Sequence, residues 1–496
     1  EIRETYSDML KKSFQYANYM ASVGIKRGNR IIIFMNNSPE VYHIITAAIA
    51  MGVVYAPAAT VLTEDDIRYR ISTLNPVAIF VDKISEKKVQ GMGVRVINVD
   101  SPDVSSAISN EKEEVTYSNS DLREDHVVFF TSGTEGKPKM VVHSNSYPAG
   151  HKTTVKWLNL EKNDIHWNIS SPGWAKWAWS SYYSPFIAGA TVFNLYYERF
   201  SASDALDALQ NFHVTSLCAP PTVWRMFLLE RFSGRKLELK KASSAGEPLN
   251  PEIIKRWKNL TGVKIKDGYG QSESTLIVGN TDVDKIKEGS VGKPIRPYRI
   301  AILDGDGKIL ESGKTGYIAL DIRRRPGGLF KGYMNDEKLN SERFKNGYYL
   351  TGDQGYMDKD GYLWFVSRAD DVIKSSDYRI GPFEVESILL MHTAVAESAV
   401  VGTPDPIRGD LVKAYVILKE GYRPSYELAA ELSNYVRRNA PAYMRPKEIE
   451  FVRDLPKTIS GKIIRKQLRK IEIENFERIN RNEKPFSLGE KFRIDN

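Results

Sequence analysis

The sharpest chemical signal in the chain is the run Thr131, Ser132, Gly133, Thr134, Glu135, Gly136, Lys137, Pro138, Lys139. Small hydroxyl residues and two glycines let backbone N–H groups come close to an anion, and two lysines add charge. It is not a Walker A loop, because Pro138 stands five residues after Gly133 where a second glycine belongs, and it is not a dinucleotide fingerprint. Taken alone, it also reads as a plain strand-to-helix loop. A second feature is electrostatic. Residues 437–470 hold eleven Lys/Arg and three Asp/Glu, which equals the whole net charge of +8. Such a patch suits a solvated surface, a nucleic acid or a nucleotide phosphate. No zinc-finger spacing and no RRM signature supports nucleic acid. The seven histidines form no HExxH or ligand-like pair, and His143 and His151, near the loop, read as structural. Cys218 is the single cysteine. It excludes an internal disulfide and a cysteine cluster for zinc or iron–sulfur, and it fits a small buried apolar position in a reducing compartment.

The phosphate-seeking loop must be held by a strand, and residues 127–131 (VVFFT) supply one. The first 300 residues alternate such runs, for example 30–34 (RIIIF) and 77–81 (VAIFV), with longer helical patterns such as 7–23. That alternation predicts an α/β sheet with helices on its faces. Residues 286–370 change to short strands and Gly turns (DGDGK, ESGKTG, KDGY), which predicts a β-rich subdomain. After residue 370 the pattern is helical at 385–391, strand at 395–401 and 413–418, and helical at 426–438, enough for a small α+β domain. The polar stretch SRADD, 367–371, marks the boundary. From Ile471 the tail is charged and weakly periodic.

The fold class expected is therefore α/β: a large N-terminal domain, 1–369, with a β-rich subdomain at about 286–369, joined to a small α+β C-terminal domain, 370–496. The 496 residues are 42% hydrophobic and 27% charged, which excludes disorder, collagen-like repeats and a disulfide scaffold. The most apolar stretch, 41–62, contains His43, Gly52 and Pro57 and predicts a buried helix, Gly turn and strand, not a membrane span. The chain starts at Glu1 directly in a helical pattern, so a missing N-terminal segment is expected and targeting cannot be judged. The compartment expected is the cytoplasm.

The loop 131–139 strongly resembles the phosphate loop of the acyl-adenylate-forming superfamily, which includes acyl-CoA synthetases, peptide-synthetase adenylation domains and luciferases. Tyr269-Gly-Gln-Ser-Glu273, Tyr349-Leu-Thr-Gly-Asp353, residues 367–374 (SRADDVIK), Tyr378-Arg-Ile-Gly381 and residues 456–462 (PKTISGK) resemble its other motifs in order and spacing. Gly173-Trp174, residues 219–222 (APPT) and the run 368–386 look most like medium-chain acyl-CoA synthetases. The resemblance implies an ATP-dependent, AMP-forming acyl-CoA ligase. A carboxylate would attack the ATP α-phosphate, pyrophosphate would leave, and the CoA thiol would displace AMP. Its partners would be a small carboxylic acid, ATP and CoA, with Mg²⁺. The rival activities are an acyl-AMP ligase that loads a carrier-protein thiol and a non-catalytic nucleotide-binding module.

The resemblance also implies roles. Thr131 through Lys137 and Lys139 would bind phosphate. Gly246, Glu247, Pro248, Asp267, Gly268 and Tyr269 would embrace the adenine, although such segments are also ordinary turns, and Gln271 and Ser272 would bind ATP or AMP. Glu273 would bind Mg²⁺, since a hard cation bridging phosphates takes carboxylate oxygen. Asp353 would accept from the ribose hydroxyls, and Arg368 and Arg379 would contact ribose or phosphate. Lys462 would stabilise the charge-rich adenylation transition state. Without the resemblance Lys462 cannot be told from Lys457 or Lys466. Asp370 would be the hinge between adenylating and thioester-forming orientations, a case of domain closure. Tyr378, Arg437 and Asp377 would lie near CoA. Asp377 stands where relatives carry glycine, so it is expected to slow thioester formation.

Trp174, Ala175, Lys176, Trp179, Cys218, Ala245 and Gly270 would line the acyl pocket. Acetate-using relatives carry Trp where this chain has Gly270, so the pocket floor is expected to open, with Trp177, Trp179 and Lys176 partly refilling it. An apolar pocket for short-to-medium or branched acids is expected.

Overall fold

The computed structural model describes the chain except residues 116–120, 132–136, 198, 233, 377, 458–461 and 495–496. By packing, the chain falls into two compact units. One comprises residues 1–249, 253–299 and 321–348, the other 250–252, 300–320 and 349–496.

The first unit is built on two seven-stranded sheets. One runs in the order Gly332–Tyr333, Lys139–Ser144, Asp125–Thr131, Val54–Ala58, Arg30–Phe34, Ala78–Val81, Arg95–Asn98. Its strands from Asp125–Thr131 to Arg95–Asn98 run parallel, and Ile31–Phe34 and Ala78–Val81 are buried among them, which is why they read as unbroken apolar runs. The stretch at 41–62 forms as expected. Helix Pro39–Met51 ends at Gly52, whose φ of 70° suits glycine, and strand Val54–Ala58 follows. Capping boxes start the helices Tyr6–Ser22 and Glu64–Leu74, with Thr5 paired to Asp8 and Thr63 to Asp66.

The second sheet runs Lys293–Pro294, Leu276–Gly279, Ile265–Gly270, Lys241–Ala245, Ser216–Ala219, Ile165–Asn168, Thr191–Phe193. The four strands from Ile265–Gly270 to Ile165–Asn168 are parallel neighbours. Their carboxyl ends share one edge, the edge at which open α/β sheets bind ligands. Trp167, Leu217, Trp224, Trp257 and Ile265 belong to the core that seals one face of this sheet.

The second unit holds the strands Ile300–Leu303, Gly316–Asp321, Tyr348–Met357 and Leu363–Arg368 and a six-stranded sheet. That sheet is made of Tyr378–Ile380, Ile373–Ser375, Val395–Asp405, Gly409–Leu418, Glu448–Phe451 and Glu490–Arg493. Val385, Leu389, Val412, Leu432 and Ile449 share its core with the helices Pro382–Leu390 and Tyr426–Asn439. The β character read at 286–370 is present, but its strands are shared out. Lys293–Pro294 joins the second sheet and Gly332–Tyr333 the first. Strands of two residues carry no period of their own and follow the edge they pair with.

Within residues 471–494 the tail holds the end of a helix and a strand despite its weak periodicity. Helix Arg465–Asn480 buries Leu468, Glu472 and Asn475. The polar members of that face are satisfied. Lys413 Nζ donates to Glu472 Oε1 at 2.7 Å and to Glu450 Oε2 at 2.6 Å, and the Tyr415 hydroxyl donates to Glu472. A helix that buries charges in a paired network has no apolar stripe to read. No helix among the described residues is long and apolar enough to cross a membrane.

Candidate active site

Thr131 ends the strand Asp125–Thr131, and Lys139 opens the antiparallel strand beside it, with Thr131 opposite Lys139 in register. The loop therefore joins two strands, which corrects the strand-to-helix reading. The run KMVVHS is buried and apolar enough to return as a strand. Ser132, Gly133, Thr134, Glu135 and Gly136 lie outside the described residues. Lys137 is exposed, and Lys139 Nζ stands 5.9 Å over the Tyr333 ring.

Tyr333 belongs to the short strand next to Lys139–Ser144, and its hydroxyl donates to Glu273 Oε1 at 2.8 Å. The Phe330 N–H donates to the Glu273 carbonyl at 2.8 Å. One residue earlier, the Ser272 carbonyl accepts from His143 Nε2 at 2.7 Å. That bond fixes the His143 proton on Nε2, and burial holds its pKa down to about 3, so the ring is neutral. Glu273 is thus held at its side chain, at its own carbonyl and at the carbonyl before it. Tyr333 and Phe330 carry no motif that sequence reading could use. His143 was read as structural, and its work is to hold the loop that carries Glu273.

The two adenine-embracing segments come together. Ala245 and Gly268 are register partners at the ends of adjacent strands. Gly246 turns the chain at φ 107°, a region open to glycine. The N–H of Leu249, which follows Gly246-Glu247-Pro248, donates to Asp267 Oδ2 at 3.3 Å, and the Gly268 N–H donates to Asp267 Oδ1 at 2.9 Å. Burial still pushes the Asp267 carboxyl up to about 8. Trp157 Nε1 donates to the Asp267 carbonyl at 3.1 Å, and a Cβ on Gly268 would meet the Trp157 ring at 2.6 Å. Gly268 is therefore required by packing. Tyr269 pairs with Val278, and the Gln271 N–H donates to Ser274 Oγ at 3.1 Å, which shapes the turn into Ser272 and Glu273.

The expected acyl-pocket residues divide. Ala175, Cys218 and Ala245 are buried. Cys218 stands between Asn168 and Ser243 in register, and burial raises its thiol pKa while the Lys176 ammonium lowers it. The same ammonium also lowers Asp267, so Lys176, Cys218 and Asp267 are within electrostatic reach. Trp174 lines a small cavity together with Ala58, Leu62, Arg70 and Phe130. Trp177 does not refill the space by Gly270. It is fully buried, its Nε1 donates to Asn37 Oδ1 at 3.2 Å, and its ring lies 5.2 Å from Tyr42. Trp179 does reach Gly270.

In the second unit, Asp353 and Arg368 face each other across antiparallel strands. Asp353 is buried and its N–H donates to Thr351 Oγ1 at 3.2 Å. Arg368 Nε lies 3.4 Å from Asp370 Oδ1, both half-exposed, while Arg469 pairs with Asp371 at 2.9 Å. Arg379 is exposed on Tyr378–Ile380, and the Tyr378 ring stacks on Tyr443 at 4.1 Å. Arg437 is exposed in the last turn of helix Tyr426–Asn439, where a cation suits the helix dipole. Asp377 lies outside the described residues.

Lys462 is exposed, just after residues 458–461, which lie outside the description. The segment that carries it is closed at its neck. Lys457 and Ile463 form a bridge, and the Ile464 N–H donates to the Pro456 carbonyl at 2.8 Å. Lys457 Nζ is paired with Glu397 at 2.7 Å, and Lys466 is on helix Arg465–Asn480. The three lysines that sequence alone left equivalent are therefore in three different settings. Arg465, two residues after the neck, grips both oxygens of buried Glu386.

The AMP-binding enzyme family model matches residues 1–334, and the model of the AMP-binding enzyme C-terminal domain matches residues 384–462. The chain is 45% identical to 4-hydroxybutyrate–CoA ligase 1 of Metallosphaera sedula, over 96% of this chain and 86% of that protein. It is 40% identical to the mitochondrial acyl-coenzyme A synthetase ACSM3 of Mus musculus, over 95% and 84%. The crystal structure of the anthranilate CoA ligase AuaEII in complex with anthranoyl-AMP matches with a TM-score of 0.87 at 27% identity, over 95% and 92%. The fold is that of the adenylate-forming enzymes. The chain belongs to the AMP-binding enzyme family and, within the adenylate-forming superfamily, is close to the medium-chain acyl-CoA synthetases.

Proposed function

We infer that this chain is an ATP-dependent, AMP-forming acid–CoA ligase acting on short-to-medium or branched carboxylic acids. The observation that carries the reading is Glu273. It is fixed by Tyr333, Phe330 and the His143–Ser272 bond beside the strand ends that flank the loop 131–139. The relatives named above, ligases of 4-hydroxybutyrate and of acyl groups, support the same chemistry.

The substrate carboxylate attacks the ATP α-phosphorus. The new O–P bond forms as the bond to pyrophosphate breaks, giving acyl-AMP. The CoA thiol then adds to the acyl carbonyl, loses its proton, and the C–O bond to AMP breaks. Lys462 stabilises the charge of the first step. Asp353 accepts from the ribose hydroxyls, and Arg368 and Arg379 contact ribose or phosphate. Tyr378, Arg437 and Asp377 are assigned to CoA. Asp370 is the hinge between residues 1–369 and 370–496.

A magnesium ion fits this donor set as a cation that arrives with the nucleotide. Among the described residues no three His, Cys, Asp or Glu side chains gather to hold a metal, and one carboxylate is what Mg²⁺ takes when phosphate oxygens and water complete its shell. Bound there, it would neutralise charge on the leaving pyrophosphate. For location we keep the cytoplasm, a reducing compartment in keeping with one buried cysteine. The mouse relative is mitochondrial by name, and cell fractionation separates the two.

Pyrophosphate release from ATP, measured over a panel of acids with and without CoA, tests the reading. Release that depends on the acid, with a thioester formed on CoA, is expected. Thioester formed only on a carrier protein would favour the carrier-loading reading, and ATP binding without any release would leave a non-catalytic module.

A further inference from the structure

The support of Glu273 reaches one residue beyond Tyr333, and its meaning rests on the ligase reading above. Gly332–Tyr333 is the end strand of the first sheet, opposite Val142 and Val141 in register. Its neighbours bond to that sheet: the Lys331 N–H donates to the Val142 carbonyl at 2.7 Å and the Met334 N–H to the Met140 carbonyl at 2.9 Å. Tyr333 bonds to a side chain instead. Its N–H donates to Asn340 Oδ1 at 2.7 Å, and its carbonyl accepts from Asn340 Nδ2 at 2.8 Å. One carboxamide thus makes the two bonds that a residue of a further antiparallel strand would make.

Asn340 lies in the middle of the seven-residue helix Glu337–Arg343, which starts where Asp336 Oδ1 accepts from the Leu339 N–H at 3.0 Å. Asparagine is a poor helix former, so local propensity does not explain it there. A carboxamide does donate and accept from one planar group, which an aliphatic or charged side chain cannot. The fit against the strand is close, since a Cβ on Gly332 would fall 2.9 Å from Asn340 Oδ1. Arg325 secures the residues just before, with Nη2 donating to the Phe330 and Lys331 carbonyls at 2.7 and 2.9 Å. Tyr333 itself is buried, and its hydroxyl donates to Glu273 Oε1 at 2.8 Å. That hydroxyl stands at the far end of a rigid ring, so a small turn of the Tyr333 backbone takes it out of hydrogen-bond range.

We propose that Asn340 is a positioning residue for Glu273: its carboxamide fixes the Tyr333 backbone, and through the Tyr333 hydroxyl it orients the carboxylate for the cation that arrives with the nucleotide. Asn340 touches no reacting atom.

The test compares wild type, Asn340→Ala, Tyr333→Phe and the double variant by calorimetric titration with ATP, with magnesium and with a chelator, in the absence of acid and CoA. Alanine keeps the helix and removes both bonds to Tyr333. Asn340→Ala should weaken binding of ATP with magnesium by about two- to tenfold, the worth of one ordinary hydrogen bond, and leave binding without magnesium unchanged. The double variant should bind no more weakly than Tyr333→Phe alone, because the two residues act along one path. Unchanged binding with magnesium in Asn340→Ala overturns the proposal. So does equal weakening with and without magnesium, which marks a general structural role, and so do effects that multiply in the double variant. Should Asn340→Ala fail to fold, Asn340→Asp, which keeps the acceptor and loses the donor, is read by the same criteria. Wild type that binds ATP no better with magnesium overturns this inference together with the cation role of Glu273. Wild type that releases no pyrophosphate with any acid removes the ligase reading, while the titrations still decide the role of Asn340.

Discussion

Glu273 and Lys462 carry the two largest assigned roles and are supported in opposite ways. Glu273 is clamped: a tyrosine hydroxyl holds its carboxylate, a backbone N–H holds its carbonyl, and a neutral buried histidine holds the carbonyl before it. Lys462 is exposed and is held through its segment, by a bridge and a backbone bond at the neck and by Arg465 on Glu386 just beyond. A group that meets a cation on phosphates must be preorganised, since electrostatic help counts only where the dipoles are already in place. A group assigned to one half-reaction, on a segment that would then yield to another, is served by a firm base beneath it. The comparison separates rigid placement from delivered placement.

The largest break in that comparison is Lys462→Ala. Removing a charge aimed at the charge that develops in a transition state lowers a chemical step by about a hundred- to a thousandfold. Pyrophosphate release should fall by that amount, while thioester formation from supplied acyl-AMP and CoA stays near wild type. Equal loss in both half-reactions would end the assignment.

Tyr333→Phe removes one hydrogen bond to a carboxylate, worth about 1.5–3 kcal/mol. The magnesium concentration for half-maximal pyrophosphate release should rise, and calorimetry should show weaker binding of ATP with magnesium and unchanged binding without it. If both titrations match wild type, Glu273 does not need its tyrosine.

Gly270→Ala forces a methyl to 2.5 Å from the Thr275 carbonyl oxygen. Overpacking of this kind costs about 1–3 kcal/mol, seen as a lower midpoint in thermal unfolding. The backbone of Thr275 and the rim of Trp179 occupy that space already. An unchanged midpoint would mean that the strand yields there.

A further effect is expected on pH dependence. The folded protein holds the Asp267 proton up to about pH 8, above the ordinary carboxylate value of about 4. Between those values the folded state binds more protons than the unfolded one, so the contribution of Asp267 to stability is full at low pH and is lost as pH rises toward 8. Asp267→Asn cannot ionise, so its unfolding midpoint should fall less steeply than wild type between about pH 5 and 8. Parallel slopes would contradict the burial argument.

The parts of the molecule that sequence made legible share one property: local chemistry decides them. Apolar β-branched runs gave the strands at 30–34 and 395–401, and Gly52 marked the end of its helix. The motif YGQSE led to Glu273 because its spacing is contiguous. What supports Glu273 was not legible, because Tyr333, Phe330 and His143 reach it from residues 57 to 130 positions away in the chain. Tyr333 moreover lies on a strand of two residues. Glu386 is a helical acid with no local sign that Arg465 grips it. Helix Arg465–Asn480 hid itself by burying Glu472 on Lys413 and Tyr415. Trp177 and Trp179, two residues apart, looked interchangeable, and only tertiary packing sends one to Asn37 and the other to Gly270.

The central claim is that a carboxylate oxygen attacks the α-phosphorus of ATP and that a thiol later attacks the acyl carbon. Butyrate labelled with ¹⁸O in both oxygens tests it most directly. After turnover with ATP and CoA, mass spectrometry of the AMP should find one labelled oxygen on its phosphate, because the C–O bond breaks on the carbon side. AMP without label, or label found in inorganic phosphate beside ADP, would contradict the account.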